Sequence, residues 1–270
     1  MASALQLPTF PYFCAQIMQE TLRGIVLRTV KYGDSSLIVD LFTDSHGRHS
    51  FMTTTTRTKR SVHSVSFWQP LAMVEFSAEL RPNAGRLPRP TDVRTYYNYS
   101  DLPFSPVKST LALFLAEFLS AALREEKENL PLYYYIESSL QWLDLADSSA
   151  SCANFHLAFL MHLSRFLGIY PNLDVDEVSP HSALFGSHLY FDLMAGTYCD
   201  RQPSHSHYLK DTEAQALPRL FRMDYSTMHI FRFSQSERRR ILLVLNEYYR
   251  LHIPDFPELK SLEVLHELYS

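Results

Sequence analysis

The hydrophobic pattern of this chain changes period once, near Ser105-Pro106. Ahead of that point apolar residues come in short runs and alternation. Behind it they recur at helical spacing. The two periods belong to strands and helices respectively, so one uniform architecture is excluded. The sequence requires an all-β unit followed by an all-α unit, within the one large or two modest domains that 270 residues can hold.

The front unit reads as five short strands. Leu22–Lys31 and Leu37–Thr43 are rich in Val, Ile and Leu, and Arg48–Thr56 follows with four consecutive threonines. Turn residues fall between them at Gly33-Asp34-Ser35 and Asp44-Ser45-His46-Gly47. Leu71–Leu80 alternates: Ala72, Val74, Phe76, Ala78 and Leu80 share one face, Met73, Glu75, Ser77 and Glu79 the other. A last strand lies near Asp92–Tyr99. Five such strands must close or stack, and a small barrel of the oligonucleotide-binding (OB) type is the economical solution.

Past the boundary, Ser105 is an N-cap with Pro106 at the first helical position, and Val107, Leu111, Phe114, Leu115, Phe118, Leu119 and Ala122 form a stripe. Further helices are expected over 132–145, 152–167, 212–222, 258–269 and from Ser234, whose Ser-Gln-Ser-Glu is a capping box, to about His252. Residues 169–212 are rich in Pro, His and Ser and read as an irregular insertion with one β-like run at His188–Leu193. The expected organisation is an extension over 1–20, the OB unit over 21–100 and the helical unit over 101–270. The fold class is α+β, all-β then all-α.

Charge divides at the same boundary. Residues 21–100 carry eleven Lys/Arg against six Asp/Glu, while 101–270 carry fourteen against twenty-two. A basic module inside an acidic chain points to a polyanion, and a nucleic-acid backbone is the obvious one. The candidate phosphate contacts are Arg57, Lys59 and Arg60, just past a strand end, with Arg23, Arg28, Lys31 and Arg48 on or beside neighbouring strands. Arg81, Arg86 and Arg89 follow in a later turn. Loops and strand ends rim the groove of such barrels. Tyr32, Phe51, Phe67, Trp68, Tyr96, Tyr97 and Tyr99 are candidates for core packing or for base stacking. Arg238-Arg239-Arg240 is a candidate second contact, although three successive arginines sweep around a helix start that disfavours positive charge. The competing reading of each basic run is a solvated surface.

Other chemistry is poorly supported. The cysteines, Cys14, Cys152 and Cys199, are widely spaced with no CxxC, which argues against a disulfide framework and a cysteine zinc site and fits a reducing cytoplasm. Cys199, His205 and His207, with His181 and His188 upstream, match no common metal spacing. No nucleophile elbow, Walker loop or HExxH occurs, and with seven glycines the chain is short of phosphate-cradling loops. The most apolar run, Leu111–Leu119, is too short to span a membrane and contains Glu117. The first twenty residues lack Lys and Arg and are broken by Pro8 and Pro11, a poor secretory signal. Met18, just before the first strand, is a second candidate start beside Met1.

The order of these segments resembles one family. R-G-I-V-L-R-T-x-x-Y-G-D-S-S-L-I-V-x-L-F-T, then H-G-R, then T-R-T-K-R, is similar to the N-terminal domain of RecO, the bacterial recombination mediator. Gln69-Pro70-Leu71 leading into Val74-Glu75-Phe76 continues the likeness. Leu113–Glu117, Asn154–Gly168 with Tyr170-Pro171-Asn172-Leu173, and Asp255-Phe256-Pro257 with Leu259–Leu262 resemble its helical domain. The resemblance covers roughly residues 20–268.

It implies an OB barrel joined to a helical domain in a non-enzymatic DNA-repair protein of the cytoplasm, associated with the nucleoid and not with a membrane. Such proteins bind single- and double-stranded DNA and anneal complementary strands. Their partners are RecR and the acidic C-terminal tail of the single-stranded-DNA-binding protein, and through these they help RecA load at gaps. The family's basic loop corresponds to Arg57, Lys59 and Arg60, and its first strand to Arg23, Arg28 and Lys31. Many members carry a four-cysteine zinc element where this chain keeps only Cys199, so no cofactor is expected. An acidic, apolar-ended tail calls for an apolar groove with an arginine at its mouth, and Arg124 and Arg165 are the candidates. A protein-interaction adaptor that does not itself bind DNA is the alternative, and a metal-dependent hydrolase built on the histidine-rich insertion is a third reading.

Overall fold

The computed structural model describes residues 19–54, 65–80, 85–147, 152–174 and 188–268. The front unit is one antiparallel sheet of β1 (Glu20–Tyr32), β2 (Ser36–Thr43), β3 (Gly47–Thr54), β4 (Met73–Ala78) and β5 (Thr91–Tyr97), in the order β3-β2-β1-β4-β5. The inward face packs Leu22, Val26, Val39, Leu41, Phe51, Val74 and Phe76 into a core of its own, with Phe51 and Phe76 edge to face at 5.0 Å. Burying each such side chain is worth about 1.5–3 kcal/mol. Trp68, from the 3₁₀ turn Val65–Trp68, closes the end of that core, and Thr29 Oγ1 donates to its carbonyl at 2.6 Å. The Met52 amide donates to Pro88 O at 2.9 Å, so the β4–β5 connection returns to the free edge of β3. The expected five-stranded OB-type unit followed by helices is the architecture found.

The helical unit comprises α1 (Pro106–Ala122), α2 (Leu130–Leu145), α3 (Phe155–Phe166), α4 (Thr212–Leu220), α5 (Gln235–His252) and α6 (Ser261–Leu268). Ser105 caps α1, and the capping box of Ser234 and Glu237 opens α5 with both reciprocal bonds made. Asn129 caps α2 by accepting from the Leu132 amide, and Pro131 lies in the first turn. In the insertion, β6 (Tyr190–Asp192), β7 (Thr197–Cys199) and β8 (Tyr208–Lys210) form a three-stranded sheet in the order β7-β6-β8. The single β-like run expected there is β6. Its partners have three residues each, too few to show a period.

A seam fixes the two units to each other. Ile25, Leu27, Phe42 and Met73, on the outer face of the sheet, belong to the helical core. Gly47 has φ +68, and a Cβ there would sit 2.3 Å from the Lys127 backbone. The next amide, Arg48 N, donates to Glu126 O at 3.0 Å. On the far side the buried Asp144 carboxylate accepts the amides of Ser100, Asp101 and Leu102 and the hydroxyls of Ser100 and Tyr97. Burial alone would raise its pKa, but these donors outweigh burial and hold it down to about 2. Lys108, also buried, donates to Asp144 O and Ala146 O and pairs with Asp101 at 2.7 Å.

Candidate nucleic-acid interface

A β-bulge organises the basic side chains of β1. Residues 23 and 28 have opposite parity and would face opposite sides of a regular strand. The β1–β2 register slips between Val26 and Arg28, and Leu27 is the extra residue. Arg23, opposite Glu75, and Arg28, opposite Asp40, therefore both lie on the outer face. Between them Ile25 and Leu27 are covered by the helical core. The expected single rim is thus two basic groups on either side of a covered patch.

In the first group, Arg23 Nε donates to Glu75 at 3.3 Å, and its guanidinium lies 5.1 Å from the centre of the Tyr96 ring. Arg94 of β5 donates to the same carboxylate through Nε at 2.9 Å and through Nη2. The hydrogen bond from Arg94 is the main cause of the lowered Glu75 pKa. Arg94, 71% exposed as a side chain, is absent from the sequence-derived set. Its position opposite Glu75 follows from β-register, which a single strand read alone does not reveal.

The second group lies at the open end of the sheet. Arg28 and Lys31 are exposed and have no ion-pair partner among the described residues. Arg86 and Arg89 are exposed in the β4–β5 connection, on either side of the Pro88 carbonyl that meets β3. The chain leaves the sheet at Thr54, which pairs with Ser36, itself opposite Tyr32. Arg57, Lys59, Arg60 and Arg81 fall outside the described residues.

Two of the expected groups are engaged within the protein. Arg48 is not a rim residue: its side chain is only 15% exposed, donating to Asp40 at 2.8 Å and to Ser120 O at 2.6 Å. It ties β3 to β2 and to the C-terminal end of α1. Arg238, Arg239 and Arg240 do not form one surface. Arg238 donates to Phe233 O at 2.8 Å, and Arg240 makes a forked pair with Glu213 of α4 at 2.7 and 2.9 Å. Arg239 alone is exposed without a described partner.

Tyr96, Tyr97 and Tyr99 are half-buried at the seam, with hydroxyls bonded to Tyr133, Asp144 and Leu71 O respectively. Phe51 and Trp68 are core. Tyr32, 58% exposed, is the aromatic of this set that faces solvent most openly.

The two partner-tail candidates differ. Arg124 donates to Asp255 O at 3.2 Å. Arg165 stacks on Tyr170 at 4.5 Å and donates to its hydroxyl, at a cavity of about 470 Å³ shared with His162, Leu173, Phe221 and Arg222. A more apolar groove of about 380 Å³ runs between α4 and α5, with the Glu213–Arg240 pair at its mouth. Sequence reasoning missed that groove because it depends on how two helices meet.

Zinc does not fit the described residues. Among the described residues no three His, Cys, Asp or Glu side chains converge on a metal position. His188 pairs with Asp211, His205 with Asp192 and His207 with Glu247, and burial pushes the Cys199 thiol pKa up rather than toward thiolate. Among the described residues no helix is long and apolar enough to cross a membrane.

An OB-type sheet unit carrying exposed cations, locked to a helical unit, is the class to which this molecule belongs. Comparison with known proteins makes that specific. The family described as Recombination protein O N terminal matches residues 18–96, and Recombination protein O C terminal matches 103–263. The DNA repair protein RecO of Phocaeicola vulgatus is 46% identical over 254 residues, covering 94% of this chain and all of the relative. That of Bacteroides fragilis is 47% identical over 255 residues with the same coverage, and that of Porphyromonas gingivalis 32% over 251, covering 92% and 98%. The chain belongs to the RecO family of DNA repair and recombination proteins.

Proposed function

We propose that this chain is a recombination mediator that binds single- and double-stranded DNA through backbone phosphates, anneals complementary strands and makes or breaks no covalent bond itself. Neutralising phosphates releases counterions and screens repulsion between two strands, so that complementary bases can meet. The observation that carries this reading is the open end of the sheet, where Arg28, Lys31, Arg86 and Arg89 are exposed while Arg48 is internally bonded. Arg57, Lys59 and Arg60, from three to six positions past the end of β3, complete the proposed set. Arg23 and Arg94 add a weaker contact, since one carboxylate serves both.

The partners we propose are RecR and the acidic tail of the single-stranded-DNA-binding protein, through which RecA is loaded at gaps. The cavity at Arg165 and Arg222 is the site we propose for such a tail: its two arginines outnumber the Asp224 carboxylate on the same lining, and Tyr170, Leu173 and Phe221 offer contacts for an apolar end. No cofactor enters this account, and the cytoplasm, at the nucleoid, is where it places the protein.

The test is DNA binding and annealing over a salt series for the wild type and for Arg57→Glu/Lys59→Glu/Arg60→Glu. Affinity for both DNA forms should fall, and the slope of log K against log salt should flatten by about 1 per lost phosphate contact. A wild type that binds no DNA at low salt, yet forms a stoichiometric complex with RecR, would replace this reading with a pure adaptor.

A further inference from the structure

Glu75 stands in the middle of a cross-strand triad. Its strand β4 lies between β1 and β5, and register sets it directly opposite Arg23 on one side and Arg94 on the other. Cross-strand neighbours of opposite charge stabilise a sheet, but one arginine is enough for one carboxylate. Here two guanidiniums share it. Arg94 donates to Oε1 through Nε and Nη2, and Arg23 donates to Oε2 through Nε. The carboxylate is only 13% exposed as a side chain, while Arg23 and Arg94 are 50% and 71% exposed. An anion approaching this face therefore meets guanidinium before carboxylate.

The triad has the chemistry of a phosphate contact already made. A guanidinium fork donates to a carboxylate and to a phosphate in the same way. Arginines two strands apart are separated by about 10 Å of sheet, and an anion between them relieves their repulsion. Glu75 is that anion, and its pKa is lowered chiefly by the hydrogen bond from Arg94. Arg23 is held from two further sides: its guanidinium lies over the Tyr96 ring, and Glu137 of α2 acts on it at longer range. The open end of the sheet differs. Asp40, opposite Arg28, is already engaged by Arg48, and Arg28 has no ion-pair partner among the described residues.

We propose that Glu75 is an internal competitor of DNA: its carboxylate occupies Arg23 and Arg94 in place of a backbone phosphate and holds affinity below what the cations of the front unit would give without it. This rests on the DNA-binding reading above and adds a restraint to it. A cation that stays paired with Glu75 neutralises no phosphate and releases no counterion. The triad therefore counts as about one cation toward DNA with Glu75 in place, and as about two without it.

The test compares wild type with Glu75→Gln, which keeps the length of the side chain and one acceptor oxygen but removes the charge. The probes are oligo(dT) of about 16 nucleotides, the upper end of one OB site, and a duplex of equal length, each over a salt series. Affinity for both should rise about 3- to 10-fold at low salt, and the slope of log K against log salt should steepen by about 1. Arg94→Gln should cost at most about twofold in wild type and about 3- to 10-fold in the Glu75→Gln background. Glu125→Gln removes the same charge from the exposed α1–α2 loop and should change neither affinity nor slope. Unchanged affinity for Glu75→Gln overturns the proposal. So does reduced affinity at wild-type thermal stability, which would make Glu75 a residue that positions the arginines for DNA. An equal gain for Glu125→Gln overturns it as well, by reducing the effect to net charge. Arg28→Glu/Lys31→Glu must weaken both probes whichever residue stands at 75. If it does not, the DNA reading has failed and not the role of Glu75 alone. Independently of any variant, the Glu75 carboxyl followed by carbon NMR should titrate at higher pH with oligo(dT) bound than without it, because phosphates draw off its arginines. A titration that oligo(dT) leaves unmoved overturns the proposal.

Discussion

Arg28 and Arg48 lie near the same carboxylate on the same outer sheet face, yet they do opposite things. Asp40 is opposite Arg28 in register, but its oxygens are taken by Arg48 and Ser50 from β3. Arg48 also reaches Ser120 O at the end of α1, so it is drawn into the seam while Arg28 is left to solvent. Counting positive charge along the sequence cannot separate them. What separates them is where the helical unit covers the sheet: one end of the face is an internal joint, the other is open.

The joint end should break first. Gly47→Ala places a methyl against the Lys127 backbone at a left-handed φ, which costs about 3 kcal/mol. Thermal unfolding should show the loss, while DNA affinity of the folded fraction stays as in wild type. A fully stable Gly47→Ala would mean that the β2–β3 turn does not press on the α1–α2 loop.

Asp144 gives the next effect, readable in pH. Its folded pKa is about 2, below the ordinary carboxylate value of 3.8, so its contribution is fully present above that ordinary value and is lost as pH falls toward 2. The difference is on the order of 2 kcal/mol. Asp144→Asn should be less stable at neutral pH and lose less than wild type between pH 4 and pH 2. Parallel acid curves for the two proteins would contradict the role given to this carboxylate. The smallest effect belongs to Arg240→Ala. Its pair with Glu213 is half-exposed, and its loss should cost at most about 1 kcal/mol. DNA affinity should not change, because that arginine already has a carboxylate.

Much of the fold was legible because it rests on local signals. Ser105-Pro106 starts α1 where capping chemistry puts it, and Ser234 with Glu237 opens α5. The alternation of Val74, Phe76 and Ala78 identified the barrel face of β4, although Met73 on the opposite face is buried too, beneath the helices. The site was less legible. Parity alone puts Arg23 and Arg28 on opposite faces, and the bulge at Leu27 reverses that. Arg48 looked like its neighbours because Ser120, its partner, is 72 positions away. The groove between α4 and α5 and the strands β7 and β8 left no periodic trace, since each depends on contacts between distant short segments. The RecO resemblance, carried by motif order rather than by any one residue, agreed with the family that the whole chain matches.

The contrast between the two ends of the face is tested most directly by the salt dependence of DNA binding for two variants measured side by side. Arg28→Glu/Lys31→Glu should keep wild-type stability, lower affinity for single and double strands by about 10- to 100-fold, and reduce the log–log slope by about 2. Arg48→Gln should lose about 1–2 kcal/mol of stability while keeping the wild-type slope. A full slope for the first variant and a flattened one for the second would contradict the account, placing the DNA contact at the joint and not at the open end.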